Sequence, residues 1–95
     1  MEVLAARYYV KAGKGEEVEA ALKRMTSLVR EQEPDCLFYQ AHRWRENPDV
    51  FLLYEQYQDE AALETHRNTP YFKEIIEATV APLLDDRVRE RYDAI

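Results

Sequence analysis

Two residues of this 95-residue chain place an acid–base group where water should be scarce. Glu55 interrupts the apolar run from Val50 to Tyr57, and His66 stands four residues before Pro70. Imidazole titrates near neutrality, so His66 suits proton transfer or hydrogen bonding to a substrate oxygen. Its alternative role is structural, closing exposed carbonyls at a helix end. A lone buried carboxylate is costly, so Glu55 should be protonated or paired, with Arg7 or an arginine of the C-terminal segment as partner. Seven tyrosines and one tryptophan accompany them. Tyr8, Tyr39, Tyr54 and Tyr71 either pack as core aromatics or line an apolar cavity with hydroxyl handles.

One base and a few hydroxyls in a water-poor pocket can deprotonate a phenol or an enolisable carbonyl compound and hold the anion. Such an electron-rich anion reacts directly with oxygen; the same groups would serve an isomerisation. Other chemistries lack their signatures. There is no P-loop and no Gly-x-Gly-x-x-Gly. His42, His66 and Cys36 do not have zinc-ligand spacing, so no metal is expected. No Ser or Cys sits in a nucleophile elbow. Cys36, among strand apolars, reads as a small buried hydrophobe, and as the sole cysteine it has no disulfide partner within the chain.

The elements that must position these groups follow from periodicity. Val3 to Lys11 alternates as a strand, with Leu4, Ala6, Tyr8 and Val10 on one side and Val3, Ala5, Arg7 and Tyr9 on the other. After the Gly13–Gly15 turn, Val18, Ala21, Leu22, Met25, Leu28 and Val29 form the stripe of a helix over about Glu16–Gln32, stopped by Glu33-Pro34-Asp35. Cys36–Glu46 and Val50–Tyr57 form a hairpin across Asn47-Pro48-Asp49. Asp59 caps a short helix to His66. Thr69 and Pro70 begin another, running to Ala81 with Phe72, Ile75, Ile76, Thr79 and Val80 inward. A last strand spans about Asp86–Tyr92, its arginines exposed or paired with acids.

The order β-α-β-β-α-β predicts an α+β, ferredoxin-like sandwich in one domain, residues 1–95, with strands one and three central in an antiparallel sheet. A sheet with helices on one face should be polar on the other. Strands one and three are apolar on both, so a second layer must cover the back, and a homodimer with sheets packed together is expected. A net charge of -6 argues against nucleic acid as partner. No stretch reaches the roughly 18 apolar residues of a membrane span. The opening Met1-Glu2-Val3-Leu4 does not resemble a signal peptide, so a cytoplasmic location is expected.

The run Phe51-Leu-Leu-Tyr-Glu-Gln-Tyr-Gln-Asp-Glu-Ala-Ala-Leu-Glu-Thr-His-Arg-Asn-Thr-Pro-Tyr-Phe72 resembles the hallmark segment of the antibiotic biosynthesis monooxygenase (ABM) domain family. There a strand ending in aliphatic-Tyr/Ile-Glu-x-Trp/Tyr leads into a helix closing on His-x-x-Thr-Pro. Glu33-Pro34-Asp35-Cys36-Leu37-x-Tyr39 is similar to the family's turn into strand two. The resemblance implies a dimeric α/β-barrel assembly with a small-molecule pocket between sheet and helices. It implies a cofactor-independent monooxygenase of a quinol, phenol or related electron-rich carbonyl compound. The alternatives are an isomerase of a phosphorylated hydroxyketone, as in autoinducer-2 breakdown, and a non-catalytic small-molecule-binding dimer.

Haem-degrading relatives carry an Asn on strand one, a Trp closing the short helix and an axial His in the next. Here those places hold Arg7, His66 and the Ile75–Ile76 region, so no haem is expected. Arg7 departs from the Asn or Glu of many relatives; it would attract an anionic substrate or pair with Glu55. The expected catalytic set is His66, Glu55 and Tyr54, with Tyr39, Tyr71 and Arg7 binding substrate.

Overall fold

The computed structural model describes residues 1–95. Four strands, β1 (Glu2–Val10), β2 (Cys36–Arg43), β3 (Val50–Tyr57) and β4 (Leu84–Asp93), form one antiparallel sheet in the order β2-β3-β1-β4. Helix α1 (Gly15–Gln32) links β1 to β2; α2 (Glu60–Arg67) and α3 (Phe72–Val80) link β3 to β4. This is the ferredoxin-like arrangement, with β1 and β3 central. Bounds agree with periodicity to within a residue or two at most ends, and β3 to the residue. β2 stops at Arg43 rather than Glu46, because β3 begins at Val50: Trp44 makes the last bond to it, at 2.9 Å to the Val50 carbonyl, and the Asn47 side chain accepts the Asp49 N–H at 3.0 Å in the turn beyond.

Two local features depart from a regular pattern. α3 is a π-helix, entered from a helical turn at Pro70–Tyr71 and followed by a 3₁₀ turn over Ala81–Leu83. A five-residue hydrogen-bond spacing still turns Ile75, Ile76 and Val80 inward, so the apolar stripe alone does not distinguish it from an α-helix. At the start of α1, a Cβ on Gly15 would lie 2.4 Å from the Arg43 guanidinium. Arg43 bonds Glu16, Glu19 and the Pro48 carbonyl there, tying the β2–β3 turn to α1.

The core lies between the sheet and the helices. Ala6, Tyr8 and Val10 of β1 and Phe51 and Leu53 of β3 pack against Val18, Leu22, Met25 and Val29 of α1 and Ile75, Ile76 and Val80 of α3. A smaller cluster of Leu4, Tyr57, Ala62 and Leu63 seats α2. The opposite face bears no helix. Val3 and Val50 are shielded there by neighbours, whereas Phe38, Leu52 and Tyr92 are exposed. No helix is long and apolar enough to cross a membrane.

Candidate active site

α2 begins where Asp59 accepts the Ala62 N–H at 2.9 Å, and its apolar residues Ala62 and Leu63 press it onto the sheet. That docking drives His66, one turn later, into the interior, where it is 2% exposed. Thr69 then locks the chain behind it. Its hydroxyl donates to the His66 carbonyl at 2.9 Å and accepts the Phe72 N–H at 3.1 Å, joining the end of α2 to the next helical turn.

The imidazole lies between two carboxyl groups. Nδ1 is 3.0 Å from both oxygens of Glu33, the residue capping the C-terminus of α1. Nε2 points toward Glu55 Oε1, 3.9 Å away, beyond hydrogen-bond reach. Each carboxyl group also accepts a tyrosine hydroxyl at 2.5 Å, Tyr71 on Glu33 and Tyr57 on Glu55. The chain reads Tyr71–Glu33–His66, a gap, Glu55–Tyr57. With Nδ1–H donating to Glu33, the Nε2 lone pair faces the gap. Tyr39, Tyr57 and Phe72 pack around the ring at centroid distances of 5.1–5.6 Å.

Burial raises Glu55 above the ordinary carboxylate range, opposed by His66, the Tyr57 hydroxyl and Arg67. Burial also raises Tyr39 and Tyr57, keeping both hydroxyls protonated. Cys36, half-buried, donates to the Phe38 carbonyl; burial and the nearby carboxyl groups push its thiol up to about 12, which suits an inert side chain. The cavity at the gap also touches Leu4, Ala6, Tyr8, Arg67 and Arg89. Its interior is about 10 Å³, roughly one water. No three His, Cys, Asp or Glu side chains converge with metal-holding geometry.

The expected site residues divide between the two faces of the sheet. His66, Glu55 and Tyr39 come together, with Tyr71 reaching His66 through Glu33. Tyr54 and Arg7 do not join them. Neighbours along a strand point to opposite faces, so Glu55 on the helix side puts Tyr54 on the open side, where its hydroxyl accepts from Gln56. Arg7 lies on that open face too, paired with Glu90 at 3.3 Å rather than with Glu55. Two members of the cluster were missed. Glu33 reads in sequence as a helix stop, and Tyr57 as strand packing.

The buried carboxyl group makes stability depend on pH. Glu55 holds its proton more tightly folded than unfolded, so its contribution is complete below the ordinary carboxylate range and is lost as pH rises through its raised value. The Glu55→Gln protein is therefore expected to lose less melting temperature than the wild type between pH 5 and pH 8. Equal slopes in thermal melts would show that Glu55 is not the group responsible.

The sequence matches the family model for antibiotic biosynthesis monooxygenase over residues 1–78. The chain belongs to the ABM family. It is 35% identical over 75 residues to an uncharacterised protein of Synechocystis sp., covering 79% of this chain and half of that protein. Among solved structures it is similar to PA3566 of Pseudomonas aeruginosa, with 29% identity and a TM-score of 0.91 over 99% of this chain and 93% of that one. A protein of Caulobacter crescentus CB15 of known structure shares 30% identity and a TM-score of 0.92, over 99% and 89% of the two chains.

Proposed function

We propose that this protein is a small homodimeric, cofactor-independent monooxygenase of a quinol, phenol or related electron-rich carbonyl compound. The observation that carries this reading is the oriented imidazole, held at Nδ1 by Glu33 and presenting Nε2 to a small cavity opposite Glu55. His66 removes a proton from the substrate, and Glu33 steadies the imidazolium that forms. Tyr39 and Glu55, the latter held by the Tyr57 hydroxyl, line the place where the substrate anion sits. With a quinol the balance closes without another reductant. The substrate supplies the electrons, one oxygen atom enters the ring as a hydroxyquinone, and the other leaves as water with two substrate hydrogens.

A second reading is favoured by the two proton-carrying groups that face each other across the gap. His66 taking a proton from one carbon and Glu55 returning one to its neighbour would isomerise a hydroxyketone, phosphorylated or not. Oxygen uptake with a quinol panel, product mass from labelled oxygen, and deuterium exchange into hydroxyketones separate the two. Uptake with label in the product supports the monooxygenase; exchange without uptake supports the isomerase. A ligand-induced rise in melting temperature with neither reaction would overturn both in favour of a binding module.

The dimer rests on the open face of the sheet. Leu52, Phe38 and Tyr92 lie exposed around the shielded Val3 and Val50, with the Arg7–Glu90 pair beside them. A second copy presenting the same surface would bury these aromatics and aliphatics together. Light scattering at micromolar concentration is expected to give twice the 11.3 kDa chain mass; a monomer would sink this assembly.

A further inference from the structure

The acids of this chain neutralise most arginines near the site. On β4, Arg87 pairs with Glu77 at 3.3 Å, and Arg91 with Glu2 and Glu60 at 2.5 and 3.7 Å. Between them Arg89 forms no close ion pair with an acid, and neither does Arg67, the last residue of α2, whose charge is felt at Glu55. Both line the same cavity as Glu55, His66, Tyr39 and Phe72. Arg89 is exposed and Arg67 half-buried, which places them where the cavity meets solvent. Register explains the convergence. Arg89 stands opposite Ala6 of β1 and shares its helix-side face, while His66 and Arg67 are consecutive.

We infer that Arg67 and Arg89 form an anion clasp at the mouth of this cavity, selecting substrates that carry a carboxylate or phosphate beside the reacting carbon. This rests on the proposed reading of the site as a proton-abstracting pocket. Guanidinium groups suit both anions through paired, charge-assisted hydrogen bonds. Two unneutralised cations beside a low-dielectric cavity also focus an attractive field that an otherwise acidic molecule lacks. The narrow interior adds a reason for such an anchor. A space of about 10 Å³ admits no ring or carbon chain without rearrangement. A substrate held at the rim by its anion remains in place while the side chains over the cavity, Phe72 among them, move aside.

Matched pairs test the clasp by binding rather than turnover: 2,5-dihydroxybenzoate against hydroquinone, and dihydroxyacetone phosphate against dihydroxyacetone. Calorimetry and the His66 ring resonances would report each titration. The anionic member of at least one pair is expected to bind about tenfold tighter or better, a difference of about 1.4 kcal/mol. Preference in the first pair alone identifies a carboxylate, in the second alone a phosphate. Arg67→Gln and Arg89→Gln should each remove most of the preference and leave the neutral compounds unchanged, while Arg24→Gln, on the far part of α1, should leave it intact. Equal binding within both pairs, or equal loss with Arg24→Gln, overturns the clasp. His66→Ala should keep the anion preference, so a protein that binds anions selectively but turns nothing over refutes the activity alone. One that turns over neutral substrates with no anion preference refutes the clasp alone.

Discussion

Turnover of the His66→Ala protein is expected to fall by about two to four orders of magnitude, the usual contribution of a positioned general base. Nothing else at the gap replaces it. Glu55 lies on the same cavity but is held toward its protonated form by burial, and Tyr39 and Tyr57 are raised as well. The substitution also removes the partner of a carboxyl group whose side chain is only 8% exposed, which costs about 1–3 kcal/mol of stability. A structural role for His66 would therefore give a less stable protein too, and melting alone does not separate the two roles. Chemical rescue does. Imidazole added to the alanine protein fills the vacated space beside Glu33 and should restore part of the turnover, with a pH profile set by the added base. Glu33→Gln gives the complementary result: the site keeps its shape, the imidazolium loses its carboxylate, and kcat falls with KM little changed. Unchanged turnover in His66→Ala would remove the histidine from the mechanism.

A large stability effect is expected from Leu53→Ala, at about 2–5 kcal/mol. Leu53 is fully buried at the middle of β3 and belongs to the cluster that joins the sheet to α1 and α3. Its central strand is flanked on both sides, so the backbone has little freedom to collapse into the vacated volume. Against a total stability of about 5–15 kcal/mol for a domain of this kind, such a loss is severe. The melting temperature should drop by at least about 8 °C at the roughly 4–8 °C per kcal/mol typical of this size. Leu52→Ala, one residue along, removes the same atoms from the open face, where Leu52 is 37% exposed in the single chain. It should cost far less in a monomer, and its cost should depend on protein concentration if that face is covered by a second copy. Equal losses at both positions would contradict the assignment of the two faces.

The architecture was largely legible because its signals are local and redundant. The alternation of Val3–Lys11 and the stripe from Val18 to Val29 each specify their element several times over. The candidate site was legible in part. His66 and Glu55 stood out because each violates its surroundings, and their partners did not. Glu33 is 33 residues from His66, and its place before Pro34 made it look like punctuation. The signal that could have found it was the likeness of the Glu33–Tyr39 segment to a family turn, since a turn recognised by its acid invites the question of what that acid faces. Tyr54 was grouped with Glu55 because β3 is apolar on both faces, which hides the alternation that separates the two residues. The π form of α3 left no trace because its inward positions also fit an ordinary helix over so short a length.

His66 is also a partition. On its Nε2 side lies the narrow cavity; on its Nδ1 side Glu33 borders a separate cleft of about 210 Å³, lined with Asp35, Cys36 and Thr65 and open to water. In the proposed mechanism Nε2 takes a proton from the substrate, the Nδ1 proton passes to Glu33 and the outer cleft, and a flip of the ring returns the free lone pair to the cavity. The base then recovers by way of the outer cleft rather than through the substrate side. This separates two things that most small sites couple, dryness where the anion forms and fast exchange with water where the catalyst recovers. In an isomerisation the abstracted proton would then be lost to solvent, Glu55 would be reloaded from solvent between turnovers, and product formed in deuterium oxide should carry the label.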